Sequence, residues 1–205
     1  MRPCDVFLQQ RRILLGECGY EADSTQVELN SKGWFVFYHY THEQNLNKIS
    51  DTGGLYARLP VVNAKHIPEL NGCCLIEGLL QPLPIWITAN KYFSDFCFEM
   101  VLNYVGDFLL RITIPPDFPG VYVADMAHNF DCKHQQRRGH SVLNLGYDCL
   151  TGKEVTMAEA NSYIPIGEYR GGHILPNVKA TRCGEGIVIP NQYISVCETQ
   201  PLRER

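Results

Sequence analysis

Trp34-Phe35-Val36-Phe37-Tyr38-His39-Tyr40-Thr41, continued by His42-Glu43-Gln44-Asn45-Leu46-Asn47-Lys48-Ile49 and closed by Gly53-Gly54-Leu55, decides how this chain is read. A β-favouring run from Trp34 to Tyr38 ends on an imidazole and a hydroxyl, which predicts a strand over about 34–41. A short helix over about 43–51, with Leu46 and Ile49 on one face, follows before a glycine turn. Polar groups at the end of a buried strand cost free energy unless they have partners, so a ligand would be held here.

Working outward, 205 residues are enough for one well-filled domain and short for two. Hydrophobic residues make up 45% and charged residues 20%, ordinary globular usage that excludes a largely disordered chain. No run approaches the roughly 20 apolar residues needed to span a bilayer. Residues near Met1 include too few apolar side chains for a secretory signal peptide, so the expected location is cytoplasmic. Nine cysteines are an odd number, and Cys97 and Cys197 lie in apolar segments; mostly free, buried thiols fit this better than a disulfide framework. A net charge of −4 gives no general attraction to phosphate backbones.

Along the chain, a helix is predicted over 6–15, a loop over 63–74, a strand over 83–88 and a helix over 92–104. Residues 107–114 are the clearest strand, and another follows over 120–124. The stretch 128–141 is polar and without apolar period, a helix is predicted around 155–161, and 167–176 is glycine-rich. Residues 185–190 and 193–196 read as two consecutive strand pieces. Strands mixed irregularly with a few helices argue for an α+β fold.

The opening motif resembles the first motif of the ADP-ribosyltransferases, in which a Tyr-His-x-Thr strand end receives the nicotinamide-ribose half of NAD. The resemblance implies that the His39 imidazole bonds a ribose hydroxyl, that the Thr41 hydroxyl supports the strand end and ribose, and that the backbone of Tyr40 holds the carboxamide. Tyr40 stands where poly-ADP-ribose polymerases and diphtheria toxin have Gly; bacterial toxins that modify DNA are more similar here, with His, an aromatic or aliphatic residue, Thr-His, then Asn-Leu and Ile. The family's second element, a strand and helix whose aromatic faces sandwich nicotinamide, is similar to Ile85-Trp86-Ile87-Thr88-Ala89-Asn90 followed by Tyr92, Ser94, Phe96 and Phe98. Trp86, Thr88, Tyr92 and Phe96 are thereby the candidate cofactor-binding residues, with Trp86 where a Tyr is usual. The third element, an acidic residue opening a late strand, is similar to Gly184-Glu185-Gly186-Ile187-Val188-Ile189-Pro190, and makes Glu185 the candidate catalytic carboxylate beside His39.

The chemistry accounts for these residue types. Cleaving the nicotinamide bond of NAD creates positive charge on the ribose, so a fixed carboxylate stabilises the transition state, while the leaving ring departs neutral and needs no acid. The resemblance implies an ADP-ribosyltransferase-like fold of two packed, mostly antiparallel sheets with flanking helices. Residues 1–30 would form an N-terminal extension packed on a catalytic domain over 31–205, monomeric and away from membranes. NAD is the expected substrate, no metal is expected, and ADP-ribose would pass to a macromolecule in the setting of a bacterial toxin or effector. Protein is favoured over nucleic acid as acceptor, because 18 Lys+Arg stand against 22 Asp+Glu and Lys133-His134-Gln135-Gln136-Arg137-Arg138 is the sole basic run. DNA modification, NAD hydrolysis and a non-catalytic binding module on the same fold are the alternatives. His128, Asp131, Cys132, His134 and His140 are metal-capable side chains, but their spacing matches no ligand pattern with a paired Cys-x-x-Cys. Cys73, Cys74 and Cys132 fall in predicted loops, and no motif singles one out as a nucleophile.

Overall fold

A computed structural model describes residues 25–62, 64–82, 106–125, 159–173 and 176–198. Its first strand, β1 (Glu28–Leu29), and β2 (Phe35–Thr41) are joined by a turn that Asn30 closes: its Oδ1 accepts the backbone N–H groups of Lys32 and Trp34 at 2.9 Å each. An Asn side chain that imitates backbone in this way is a common turn device. Beyond β2 come a 3-10 turn over Glu43–Asn45 and the helix α1 (Leu46–Thr52), which ends at Gly53 in the left-handed conformation, φ 87°. Glycine reaches that conformation without the Cβ clash other residues suffer.

The remaining strands among the described residues are β3 (Gly54–Ala57), β4 (Leu59–Pro60), β5 (Cys73–Leu79), β6 (Phe108–Ile114), β7 (Val121–Asp125), β8 (Ile164–Pro165), β9 (Pro176–Cys183), β10 (Gly186–Pro190) and β11 (Ile194–Val196). The large sheet has the order β11-β6-β2-β5-β9-β7-β8, with β1 added on β2 and β4 on β5; β3 and β10 form a separate two-stranded sheet. Every pairing between these strands is antiparallel.

One face of the large sheet carries Phe37, Leu110, Ile112, Ile114, Val123 and Val178, and packs against Leu55, Ala57, Val188 and Ile189 of the small sheet with Leu46 and Ile49 of α1. Phe37, Ile112, Ile114 and Val123 are fully buried, and each such side chain contributes about 1.5–3 kcal/mol by leaving water. A second cluster of Val61, Leu70, Cys73 and Leu75 lies under the 3-10 turns Ala64–His66 and Pro68–Leu70.

Among the described residues the fold is therefore mostly antiparallel sheet with one short α-helix, in two packed sheets, heavier in strand than the α+β expectation. Two of the longest strands depart from the sequence reading, and the short β1, β3, β4 and β8 fall where it placed no strand. β5 begins at Cys73, inside the segment read as a loop, and β9 occupies a stretch to which no strand was assigned, starting where the glycine-rich segment ends. Residues 25–30 are part of the large sheet through β1, with Val27 packed on the core. The helices expected over 6–15 and 92–104 and the strand over 83–88 lie outside the described residues, as does most of the helix expected around 155–161. No helix among the described residues is long and apolar enough to cross a membrane.

Candidate functional site

The large sheet opens where β2 meets β5. β2 pairs β6 over its whole length, from Phe35↔Ile114 to Thr41↔Phe108, but pairs β5 at a single position, Tyr38↔Leu79. Gly78 sits at this pivot, where an added Cβ would lie 2.8 Å from the Tyr38 carbonyl oxygen and 2.9 Å from the Phe37 ring. Past the pivot, His39 takes the place of a ladder bond: its Nδ1–H donates to the Glu77 carbonyl at 2.7 Å. A carbonyl can only accept, so Nδ1 carries the proton and Nε2 of the neutral ring is an acceptor. Burial lowers the His39 pKa below the usual 6.5, against opposing contributions from the Glu77 carbonyl and carboxylate. The imidazole is consequently neutral at pH 7.

The backbone of Tyr40 points toward the same opening. Leu109 accepts the Cys197 N–H at its carbonyl, so its peptide groups face β11. Tyr40, directly opposite Leu109, therefore belongs to a pair that does not exchange hydrogen bonds, and its amide and carbonyl point away from β6 to the side from which β5 departs. Its side chain is buried. Thr41 is buried too, with its Oγ1 accepting Asn45 Nδ2–H at 3.2 Å, a link that ties the strand end to the start of the helical segment. Gly106, φ 88°, lets the chain cross against the Thr41 carbonyl, where any side chain would overlap it. Tyr38 belongs to another network: its hydroxyl donates to Glu28 Oε2 at 2.7 Å while Arg111 donates to Glu28 Oε1 at 2.9 Å. Burial, with the Glu28 hydrogen bond and charge, pushes the Tyr38 pKa up to about 12.

Glu185 is exposed in the turn between β9 and β10, flanked by Gly184 at φ 65° and Gly186 at φ 145°. β10, which it precedes, pairs with β3, the strand that follows α1. The first and third sequence motifs thus meet in the small sheet, with Gly186 opposite Ala57 and Pro190 opposite Gly54. They do not put His39 and Glu185 at one level of the large sheet. His39 is bonded at Glu77, whereas the turn holding Glu185 begins opposite Cys73; four residues of extended strand amount to roughly 13 Å. The carboxylate at the level of His39 is Glu77, which sequence reading passed over. Its side chain, half exposed, pairs with Nζ of Lys179 directly across the ladder, and Lys179 is buried. The available signal was a carboxylate inside the apolar run Leu75-Ile76-Glu77-Gly78-Leu79-Leu80, since such a charge must find a partner.

Trp86, Thr88, Tyr92 and Phe96 lie outside the described residues, as do the polar segment 128–140 and its metal-capable side chains. Among the described residues no group of three or more His, Cys, Asp or Glu side chains could hold a metal ion. A shallow cavity of about 240 Å³ lined by Lys32, Trp34, Thr113, Gln192 and Tyr193, among others, contains none of the candidate site residues. Comparison with protein-family models, curated proteins and solved structures returns no match.

Proposed function

We propose that the chain is an ADP-ribosyltransferase that binds NAD at the opening between β2 and β5, breaks the nicotinamide–ribose bond and transfers ADP-ribose to a macromolecular acceptor, a protein in preference to nucleic acid, as a bacterial toxin or effector. The observation that carries this reading is the end of β2. There a neutral imidazole with an accepting Nε2, outward-turned Tyr40 peptide groups and a buried Thr41 hydroxyl sit where the sheet parts. A ribose hydroxyl can donate to Nε2, and a carboxamide matches a peptide amide and carbonyl.

Glu185 is the proposed carboxylate. It lies outside the ladder, and no hydrogen bond or ion pair engages it among the described residues, so its charge is available to a ribose cation. A second reading assigns that role to Glu77, favoured by its position at the level of His39. Incubating the purified chain with NAD and separating free nicotinamide by chromatography tests the proposal. Release is expected, and absence of both release and any NAD-dependent rise in melting temperature at millimolar NAD overturns it. Labelled NAD offered separately to cell protein extract and to DNA decides the acceptor; label entering DNA and not protein replaces the protein assignment.

A further inference from the structure

Cys73 on β5 and Cys183 on β9 are directly opposite in the ladder, with Sγ atoms 3.6 Å apart. The neighbouring pair fixes their class. Gly184 N–H donates to the Gly72 carbonyl at 2.9 Å, which makes 72 and 184 a hydrogen-bonded pair and places Cys73 and Cys183 at the next, non-bonded position. The Cys73 carbonyl accordingly serves β4's side, accepting from Val61 N–H at 3.0 Å. Such positions bring Cα atoms to about 4.5 Å, inside the roughly 4.4–6.8 Å window in which a disulfide closes. Both thiols are free, Cys73 buried and Cys183 exposed. Cys74 is excluded as a rival because the pleat sends it to the other face, into the core with Ile76 and Leu80.

We propose that Cys73 and Cys183 form a redox-modification site, a cross-strand thiol pair that a small disulfide oxidant of the glutathione disulfide type converts to an intramolecular disulfide. The exposed Cys183 thiolate attacks one sulfur of the oxidant, breaking its S–S bond and releasing one thiol with a mixed disulfide left on Cys183. Cys73, deprotonated to solvent, then attacks the Cys183 sulfur and expels the second thiol. Two electrons pass from the protein pair to the oxidant, and the two protons end on the released thiols. Burial and the neighbouring Cys183 sulfur hold the Cys73 thiol above its ordinary pKa, which disfavours it as the first nucleophile and leaves its attack to the 3.6 Å proximity of the Cys183 sulfur. The bond closes one residue before Gly184 and fixes the end of β9 beside the turn that carries Glu185.

The test uses the full chain with Cys74→Ala and Cys197→Ala, so that the tryptic peptides spanning 66–91 and 183–203 each retain a single described cysteine of interest. After incubation with glutathione disulfide, non-reducing peptide mapping is expected to show 73 linked to 183, with loss of both from the alkylatable thiols and their return on reduction. In the further variant Cys73→Ser, Cys183 is expected to keep glutathione as a lasting mixed disulfide. A folded chain, judged by circular dichroism, in which Cys73 stays alkylatable while Cys183 is modified, or in which neither reacts, overturns the proposal. So does a mixed disulfide on Cys183 equally lasting with and without Cys73. The readout involves no NAD, and its result is separable from the transferase reading.

Discussion

The two ends of β5 make opposite use of the same strand. At Cys73–Leu75 the strand is held on both sides, by β4 and β9, and the Cys73 and Leu75 side chains close an apolar cluster with Val61 and Leu70. At Glu77–Leu79 it keeps β9 but loses β2 after one pair, and polar groups fill the gap. A sheet that stays paired buries its peptide groups in itself, whereas one that parts must find other partners for them.

The largest effect that probes this contrast is expected at Phe37, which is fully buried against the Gly78 pivot. Phe37→Ala should cost about 3–5 kcal/mol in urea unfolding; a loss near 1 kcal/mol would mean that the open end depends little on core packing. Next, Glu185→Gln should lower nicotinamide release roughly a hundredfold, about 2.7 kcal/mol, with NAD affinity within a few-fold, while Glu77→Gln stays within a few-fold in both. The reverse result would move the chemistry to the level of His39. A third expectation concerns the pivot itself. Gly78→Ala should cost about 1–3 kcal/mol, because a Cβ there presses on the Tyr38 carbonyl and Phe37 ring, neither a flexible side-chain end; no loss of melting temperature would show that β2 and β5 can separate further at no cost.

The smallest effect is the pH dependence of His39. Its pKa is lowered in the folded chain, so the unfolded chain takes up the proton first. Stability from this group is present above the unfolded pKa of about 6.5 and is lost as pH falls through the folded value. His39→Gln keeps a donor for the Glu77 carbonyl without titrating. Wild type should therefore lose melting temperature relative to this variant as pH drops below about 6.5, and parallel curves would mean that the ring is less desolvated than its position implies.

Strands with one dominant pattern were legible. β2, β6, β7, β10 and β11 follow β-rich or alternating runs bounded by turn residues. β5 and β9 were not, and they share a cause: both lie in the middle of the sheet with both faces covered along most of their length. In β9 the sequence Pro176-Asn177-Val178-Lys179-Ala180-Thr181 looks solvent-facing, yet every one of these residues is buried. Lys179 is neutralised by Glu77, and the Thr181 hydroxyl donates to the Gly120 carbonyl at 2.9 Å. Partners that far along the chain leave no local trace. The same limit applies to the site. The order of the His39 and Glu185 motifs could be read along the chain, but their different levels on β5 depend on the register with β9.

The position of β9 also sets the order in which the molecule can assemble. It lies between β5 and β7, so on a ribosome both of those strands must wait, with unsatisfied edges, until residues 176–183 emerge. β10 and β11 follow later still and complete β3 and β6. Synthesis at about 5–20 residues per second leaves the early strands uncovered for seconds. Pairings of such long sequence separation also fold slowly, in roughly milliseconds to seconds. Until residues 176–196 are made the sheet is incomplete, and a nascent product halted before residue 176 would present β5 and β7 as open templates for aggregation.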